Sequence, residues 1–282
     1  MSSFININGT LFPEEEASLP ATSRAISYGD GCFETLVSYK GEFLQFGDHF
    51  DRLQSGLKYL EMNLDLTKQQ LLSEIQKLLE KNELEDEDSV IRIQCYRKGS
   101  SGYFDISDQS GFIILNRSIP KRGDSIKLKT VSIPAIPTAA LERKVKLSNS
   151  INYIKGAQEA KKIGGDDALM LTIEGKISET TISNIFWIKG NQVFTPSIDC
   201  DLLPGVTRAL VIELIKQDLD LTLKEGEFEP EDIQSAEAVF CTNSVMEMMS
   251  VSGIDDHLYK TEHSVFEKLK DDFKEYKEKW LC

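Results

Sequence analysis

Alternating apolar runs in this chain come in groups, closed by tight turns and followed by helical stretches, rather than trading places with helices one at a time. Phe4, Ile5 and Ile7 lead into Asn8-Gly9 with Phe12 beyond, and Cys32–Phe46 (CFETLVSYKGEFLQF) alternates around Lys40-Gly41. Both segments read as antiparallel hairpins, because two-residue turns that need positive φ favour Asn and Gly. Helical spacing comes next. Phe50, Leu53, Leu57 and Leu60 follow Asp48 as a helix cap, and Leu71, Leu72, Ile75, Leu78 and Leu79 form a stripe behind a Thr67–Gln70 capping box. A doubly wound parallel sheet requires strict strand–helix alternation, so this grouping predicts α+β architecture.

Strands are expected again at Val90–Tyr96 and Phe112–Leu115, separated by a polar, glycine-bearing segment. RSIPKRGD (117–124) then interrupts the pattern with proline, glycine and charge. It divides the chain into an N-terminal domain (1–118), a linker (119–125) and a C-terminal domain (126–282), which share a cleft. In the second part the pattern predicts a strand near Ile126–Ile133 and a helix from Asn149 to Ile163 ended by Gly164-Gly165. Strands at 168–173, 182–188 and 192–194, a helix at 207–217 and a strand at 238–241 follow. A last helix, 265–280, has Phe266, Leu269, Phe273 and Trp280 on one side as core or domain packing.

Charge narrows the function. The chain of 282 residues has 46 acidic against 32 basic side chains, a formal net charge of −14. Sequence-independent binding to nucleic acid or to acidic membranes uses clustered Lys and Arg, so neither is expected as a partner. Five scattered cysteines without C-x-x-C spacing and three dispersed histidines indicate neither a disulfide framework nor a metal centre. No basic region followed by an apolar stretch opens the sequence, and no run has membrane-helix length, so a cytoplasmic protein is expected.

Four places could carry chemistry. LPGVTR (203–208) sets a glycine and a hydroxyl at a helix start, where unpaired N–H groups and the helix dipole can hold a phosphate. Arg52 in HFDRL lies one turn into the first long helix, and Glu179 lies in an alternating run. Lys146 follows Lys144 and Val145 just before the 149–163 helix, and a partly desolvated lysine can form an imine with a carbonyl. Taken singly, each has an ordinary structural reading: a capped helix, a solvated arginine, a surface strand carboxylate, an exposed basic pair. Cys32 and Cys241 are read as buried structural thiols, and His49 as a helix-start residue.

Taken together the segments are more specific. YGDGCFET (28–35), HFDRL (49–53), KLSN (146–149), ISETTISNIFW (177–187), LPGVTR (203–208) and FCTNS (240–244) occur in the order and spacing of the class IV aminotransferases. The chain thus resembles the fold-type IV pyridoxal phosphate enzymes over about residues 4 to 254. The resemblance implies an α+β protein of two α/β-type domains with the active site in the cleft between them, working as a homodimer on small-molecule substrates, amino acids and 2-oxo acids. It further implies that Lys146 forms the Schiff base with pyridoxal 5′-phosphate and moves the proton. Glu179 is expected to bond the pyridine nitrogen, and Arg52, Val206, Thr207 and Ser244 to hold the phosphate, with Asn243 a further candidate. Phe33, Arg24 and Arg97 are expected in the substrate pocket.

Departures bear on the choice within the family. The Lys146–Asn149 spacing is three, as in the D-amino-acid and lyase branches, whereas branched-chain enzymes have one residue more. The Gly-Thr-Ala turn of the branched-chain enzymes is replaced by Thr242, Asn243, Ser244 and Val245. The Arg-x-His carboxylate trap of D-amino-acid enzymes has no match in YRKGSSGYF (96–104), where Arg97 and Lys98 remain. The expectation is an aminotransferase, with D-amino acids among its candidate substrates. The alternative is 4-amino-4-deoxychorismate lyase, followed by a branched-chain aminotransferase. A non-catalytic dimer is disfavoured, because Lys146, Glu179 and Arg52 are all retained.

Overall fold

The computed structural model describes residues 3–99, 102–104, 107–121 and 123–281; Ser100 and Ser101 of the glycine-bearing segment, Arg122 of the linker and Cys282 lie outside that description. Two compact units result. One runs to Pro120 and takes in Val145–Asn149; the other comprises Lys121–Lys144 and Ser150–Trp280.

The first unit opens with β1 (Phe4–Ile7) and β2 (Thr10–Pro13), paired across Asn8-Gly9, whose φ values of 54° and 86° are the left-handed ones such a turn needs. A short helix, α1 (Arg24–Tyr28), leads to β3 (Gly31–Tyr39) and the two-residue β4 (Glu42–Phe43). Then come α2 (Phe46–Tyr59), α3 (Lys68–Lys81), β5 (Ser89–Arg97) and β6 (Ser110–Ser118). The strands form an antiparallel sheet in the order β2-β1-β6-β5-β3-β4. The Thr67–Gln70 capping box is present at the start of α3. α2 departs from expectation. It begins two residues before Asp48, after Gln45 in a left-handed conformation, and Asp48 lies in the first turn, where a negative charge suits the helix dipole.

Alternation along β3 sends Cys32, Glu34 and Leu36 into the core and leaves Phe33 and Thr35 half-buried on the other face. α2 covers the core face closely: a Cβ on Gly56 would lie 2.9 Å from that of Cys32, so only glycine allows this approach. Leu53 and Leu57 of α2 and Leu71, Ile75 and Leu78 of α3 are buried, each such side chain contributing about 1.5–3 kcal/mol.

In the second unit β7 (Ser125–Thr130) is joined through α4 (Ile151–Lys162) to the parallel β8 (Asp167–Leu171). β9 (Ile177–Thr180), β10 (Asn184–Lys189), β11 (Gln192–Pro196), α5 (Val206–Gln217), β12 (Thr222–Gly226) and α6 (Pro230–Gln234) follow. β13 (Ala238–Asn243), β14 (Glu247–Ile254), β15 (His257–Leu258) and α7 (Ser264–Trp280) complete the unit. The sheet runs β12-β11-β10-β13-β14-β7-β8-β9, with β15 on β14. β10 is buried on both faces. Phe186 stacks on Phe240, while Trp187 meets Phe194 and the edge of Phe228. Phe266, Leu269 and Phe273 of α7 are buried, and Trp280 is exposed. The strand expected at 182–188 is β10, which begins two residues later because a turn at Thr181–Ser183, closed by the Thr180 N–H on the Ser183 carbonyl, separates it from β9. No helix among the described residues is long and apolar enough to cross a membrane.

Candidate functional site

Lys146 owes its place to the first unit's sheet. β4 pairs only with Ser38 and Tyr39, so at the other end of β3 the open edge takes up Val145–Asn149 through a Cys32–Leu147 bridge. The Phe33 N–H donates to the Lys146 carbonyl at 2.9 Å, and the Ser148 N–H to that of Gly31 at 2.9 Å. Chain order alone would assign this segment to the second domain; its backbone bonds tie it to the first unit.

The register sets Lys146 opposite Phe33, and its Nζ lies 4.8 Å from that ring's centroid. Arg92 of β5 lies over the same ring at 3.9 Å. Gln94 shares this face, donating to Ser148 Oγ at 2.5 Å and accepting from Arg92 at 3.2 Å. Arg92 has no ion-pair partner among the described residues. Burial and the nearby Arg117 charge both lower its pKa, so the face favours an added negative charge. Arg92 was not singled out from the sequence.

On the opposite face, Glu34 is completely buried beneath α2. Arg52 grips it with two bonds, Nε to Oε1 at 2.7 Å and Nη2 to Oε2 at 2.8 Å, and His49 Nδ1 lies 2.8 Å from Oε2. Burial by itself would raise the pKa of Glu34; the charge and hydrogen bonds of Arg52, with those of His49, outweigh it and bring it down to about 2. His49 lies in the first turn of α2, at the helix start as expected, and is also a buried partner of this carboxylate. Arg52 sits one helical turn beyond His49, which puts both on the face toward β3.

Arg24 and Arg97 meet on Asp30. Arg24 Nε donates to its Oδ2 at 2.6 Å and Arg97 Nε at 2.9 Å. Burial raises the Asp30 pKa, but the two guanidiniums carry it below the usual value. Arg97 also donates to the carbonyls of Leu60, Glu61 and Ser107, so all three of its nitrogens are engaged. These bonds tie β5 to the chain beyond α2.

In the second unit Glu179 is 5% exposed rather than the surface strand residue its local sequence suggested. The hydroxyl of Tyr153 on α4 donates to Oε1 at 2.7 Å and Arg143 Nη2 to the same oxygen at 3.4 Å; Asn184 Nδ2 and the Leu203 N–H donate to Oε2 at 3.3 and 3.1 Å. Burial above all, and then the Glu179 charge, raises the Tyr153 pKa, which keeps its hydroxyl a donor. Tyr153, Arg143 and Asn184 were missed from sequence. Their neighbours do not reveal them, because each meets Glu179 only through tertiary packing.

Two residues beyond Leu203, Gly205 caps α5 without any side-chain bond to the first turn, and the buried Val206 and Thr207 begin the helix. Thr207 thus lies inside that turn rather than capping it. A Cβ on Gly205 would stand 2.3 Å from Asn184 Oδ1, so a larger residue there would push Asn184 out of its place in the Glu179 network. Asn243 is committed to the β13–β14 turn: it donates to the Ile182 carbonyl and Ser183 Oγ and accepts from Val245 and Met246. Ser244 is half-buried in the same turn. Cys32, Cys95, Cys200 and Cys241 are buried free thiols. No group of three His, Cys, Asp or Glu that could hold a metal ion occurs among the described residues.

Residues 31–254 match the family model of class IV amino-transferases. The aminodeoxychorismate lyase of Bacillus subtilis is 32% identical over 267 residues, covering 90% of this chain and 88% of its own. The solved branched-chain aminotransferase of Thermoproteus uzoniensis with norvaline superposes with a TM-score of 0.90 at 26% identity, covering 97% of this chain and 94% of that one. The Escherichia coli branched-chain amino acid aminotransferase, at 21% identity, has the same fold with a TM-score of 0.90 over 98% of this chain and 94% of its own.

Proposed function

Because the chain belongs to the class IV aminotransferases, we propose that it passes an amino group between an amino acid and a 2-oxo acid, with pyridoxal 5′-phosphate as cofactor. The donor chemistry of both units fits that group. A phosphate suits the uncapped start of α5 at Val206 and Thr207, Ser244 and the Arg52 cation. A protonated pyridine nitrogen suits Glu179, whose contacts from Arg143 at 3.4 Å and Asn184 at 3.3 Å are long enough to yield. Asn243 supports Ser244 through the turn they share. When bound, the cofactor serves as an electron sink for the substrate α-carbon.

The residues then divide the work. Lys146 would hold the cofactor through its carbonyl carbon and, once the substrate amine has displaced it there, would carry the proton from the substrate α-carbon to the cofactor carbon. Glu179 holds the proton on the ring nitrogen, and Phe33 keeps water from the Lys146 amine. Arg92 receives a substrate carboxylate, while Arg24 acts through Asp30. The observation that carries this reading is Lys146 Nζ over Phe33, beside a guanidinium with no ion-pair partner among the described residues. A homodimer in the cytoplasm is part of the proposal. The donor panel includes D-amino acids, from the Lys146–Asn149 spacing, and aliphatic amino acids such as the norvaline of the Thermoproteus structure.

Arg92→Ala is expected to raise KM for 2-oxoglutarate about tenfold or more, the worth of one charge-assisted hydrogen bond, with a smaller change in kcat. Unchanged KM values in steady-state kinetics would remove Arg92 from the carboxylate site. A second reading, aminodeoxychorismate lyase, is favoured by the Bacillus subtilis relative. There Lys146 removes a ring proton and the enolpyruvyl group leaves, giving 4-aminobenzoate and pyruvate. Release of these products, with no amino transfer from any amino acid, would select it.

A further inference from the structure

Glu34 is a carboxylate in the core of a sheet, and a buried ion pair of this kind is no more stabilising than well-packed apolar side chains. Its geometry suggests another reason for its presence. The Nε–Nη2 edge of Arg52 is matched to the two oxygens of Glu34, which fixes the guanidinium plane and the direction of its Nη1 end. Glu34 cannot swing away, because it is enclosed by α2 and its Oε2 is also bonded to His49. With Glu34 ionised and able only to accept, His49 Nδ1 carries the proton of that bond.

We infer that Glu34, braced by His49, is the positioning residue that presents Arg52 to the phosphate of the cofactor. The inference rests on the functional reading above, in which Arg52 is a phosphate ligand. It runs against simple electrostatics. Glu34 is negative, so its charge alone repels a phosphate and its removal should tighten phosphate binding. Positioning predicts the opposite, since a guanidinium freed from its clamp must be ordered again in every binding event.

Dissociation constants of pyridoxal 5′-phosphate and of pyridoxal, which lacks the phosphate, separate the two cases in the full-length protein. Arg52→Ala is expected to reduce the preference for the phosphorylated form about 10- to 100-fold. Glu34→Gln should reduce it about tenfold, the size seen when groups that orient a ligand are lost, and should leave pyridoxal binding unchanged. The double variant should be no worse than Arg52→Ala alone. Glu34→Asp keeps the charge on a shorter arm and should show a smaller loss, which serves if the amide variant does not fold. Tighter phosphate binding in Glu34→Gln, or equal weakening of both ligands, would overturn the inference while leaving Arg52 in place. An unchanged preference in Arg52→Ala would overturn both the inference and the assignment of Arg52 to the phosphate.

Discussion

Lys146→Ala is expected to abolish turnover, with a fall of at least about 10²–10⁴-fold, the range typical for removing a positioned general acid/base. It should also abolish covalent attachment of the cofactor. The fold has little reason to suffer, because the Lys146 segment is held by main-chain bonds to Gly31 and Phe33 that alanine retains. Borohydride reduction followed by peptide mapping should label residue 146 in the wild type and no residue in the variant, at equal thermal stability. Label elsewhere, or retained turnover, would move the catalytic role off Lys146. Half-buried, beside Phe33 and on the edge of β3, this lysine differs from the exposed Lys144 two residues earlier, which is why the proposed role falls to Lys146.

The second large effect is on acid stability. Glu34 has its pKa lowered from 4.5 to about 2 by Arg52 and His49. A carboxylate depressed in the folded state contributes stability that is complete above its unfolded pKa and lost as pH falls through the folded one. The window therefore runs from about pH 4.5 down to about pH 2, and the contribution is on the order of 3 kcal/mol. Denaturant unfolding of the wild type and of Glu34→Gln across pH 7 to 2 isolates it. The wild type's advantage over the variant should shrink by about that amount over the window. Parallel stability curves would show that Glu34 is not held ionised by its partners.

Local signals carried much of the first unit. The hairpin at Asn8-Gly9 and the Thr67–Gln70 capping box both lie where the sequence placed them, since turn geometry and helix caps depend on neighbours only a few residues apart. β14 was missed for the opposite reason. Besides the short β15, its partners are β13 and, in parallel, β7, which is more than a hundred residues away, and buried on both faces it lacks clean alternation. At the site, Lys146, Glu179 and Arg52 stood out through the order of six motifs, whereas Glu34 did not. A usable signal was present. Glu34 has the same strand parity as Cys32 and Leu36, so alternation alone puts a carboxylate among core residues, and HFDRL supplies the histidine and arginine to match it. Arg92 gave no such signal, because its contact with Phe33 depends on the β3–β5 register.

The most direct test of the account is a half-reaction panel on the purified protein, with D- and L-amino acids offered one at a time and no 2-oxo acid acceptor. The account predicts that at least one amino acid converts the bound cofactor to its amino form and releases one equivalent of 2-oxo acid per site. It would be contradicted if the protein takes up no pyridoxal phosphate, or if no amino acid gives a half-reaction while aminodeoxychorismate yields pyruvate.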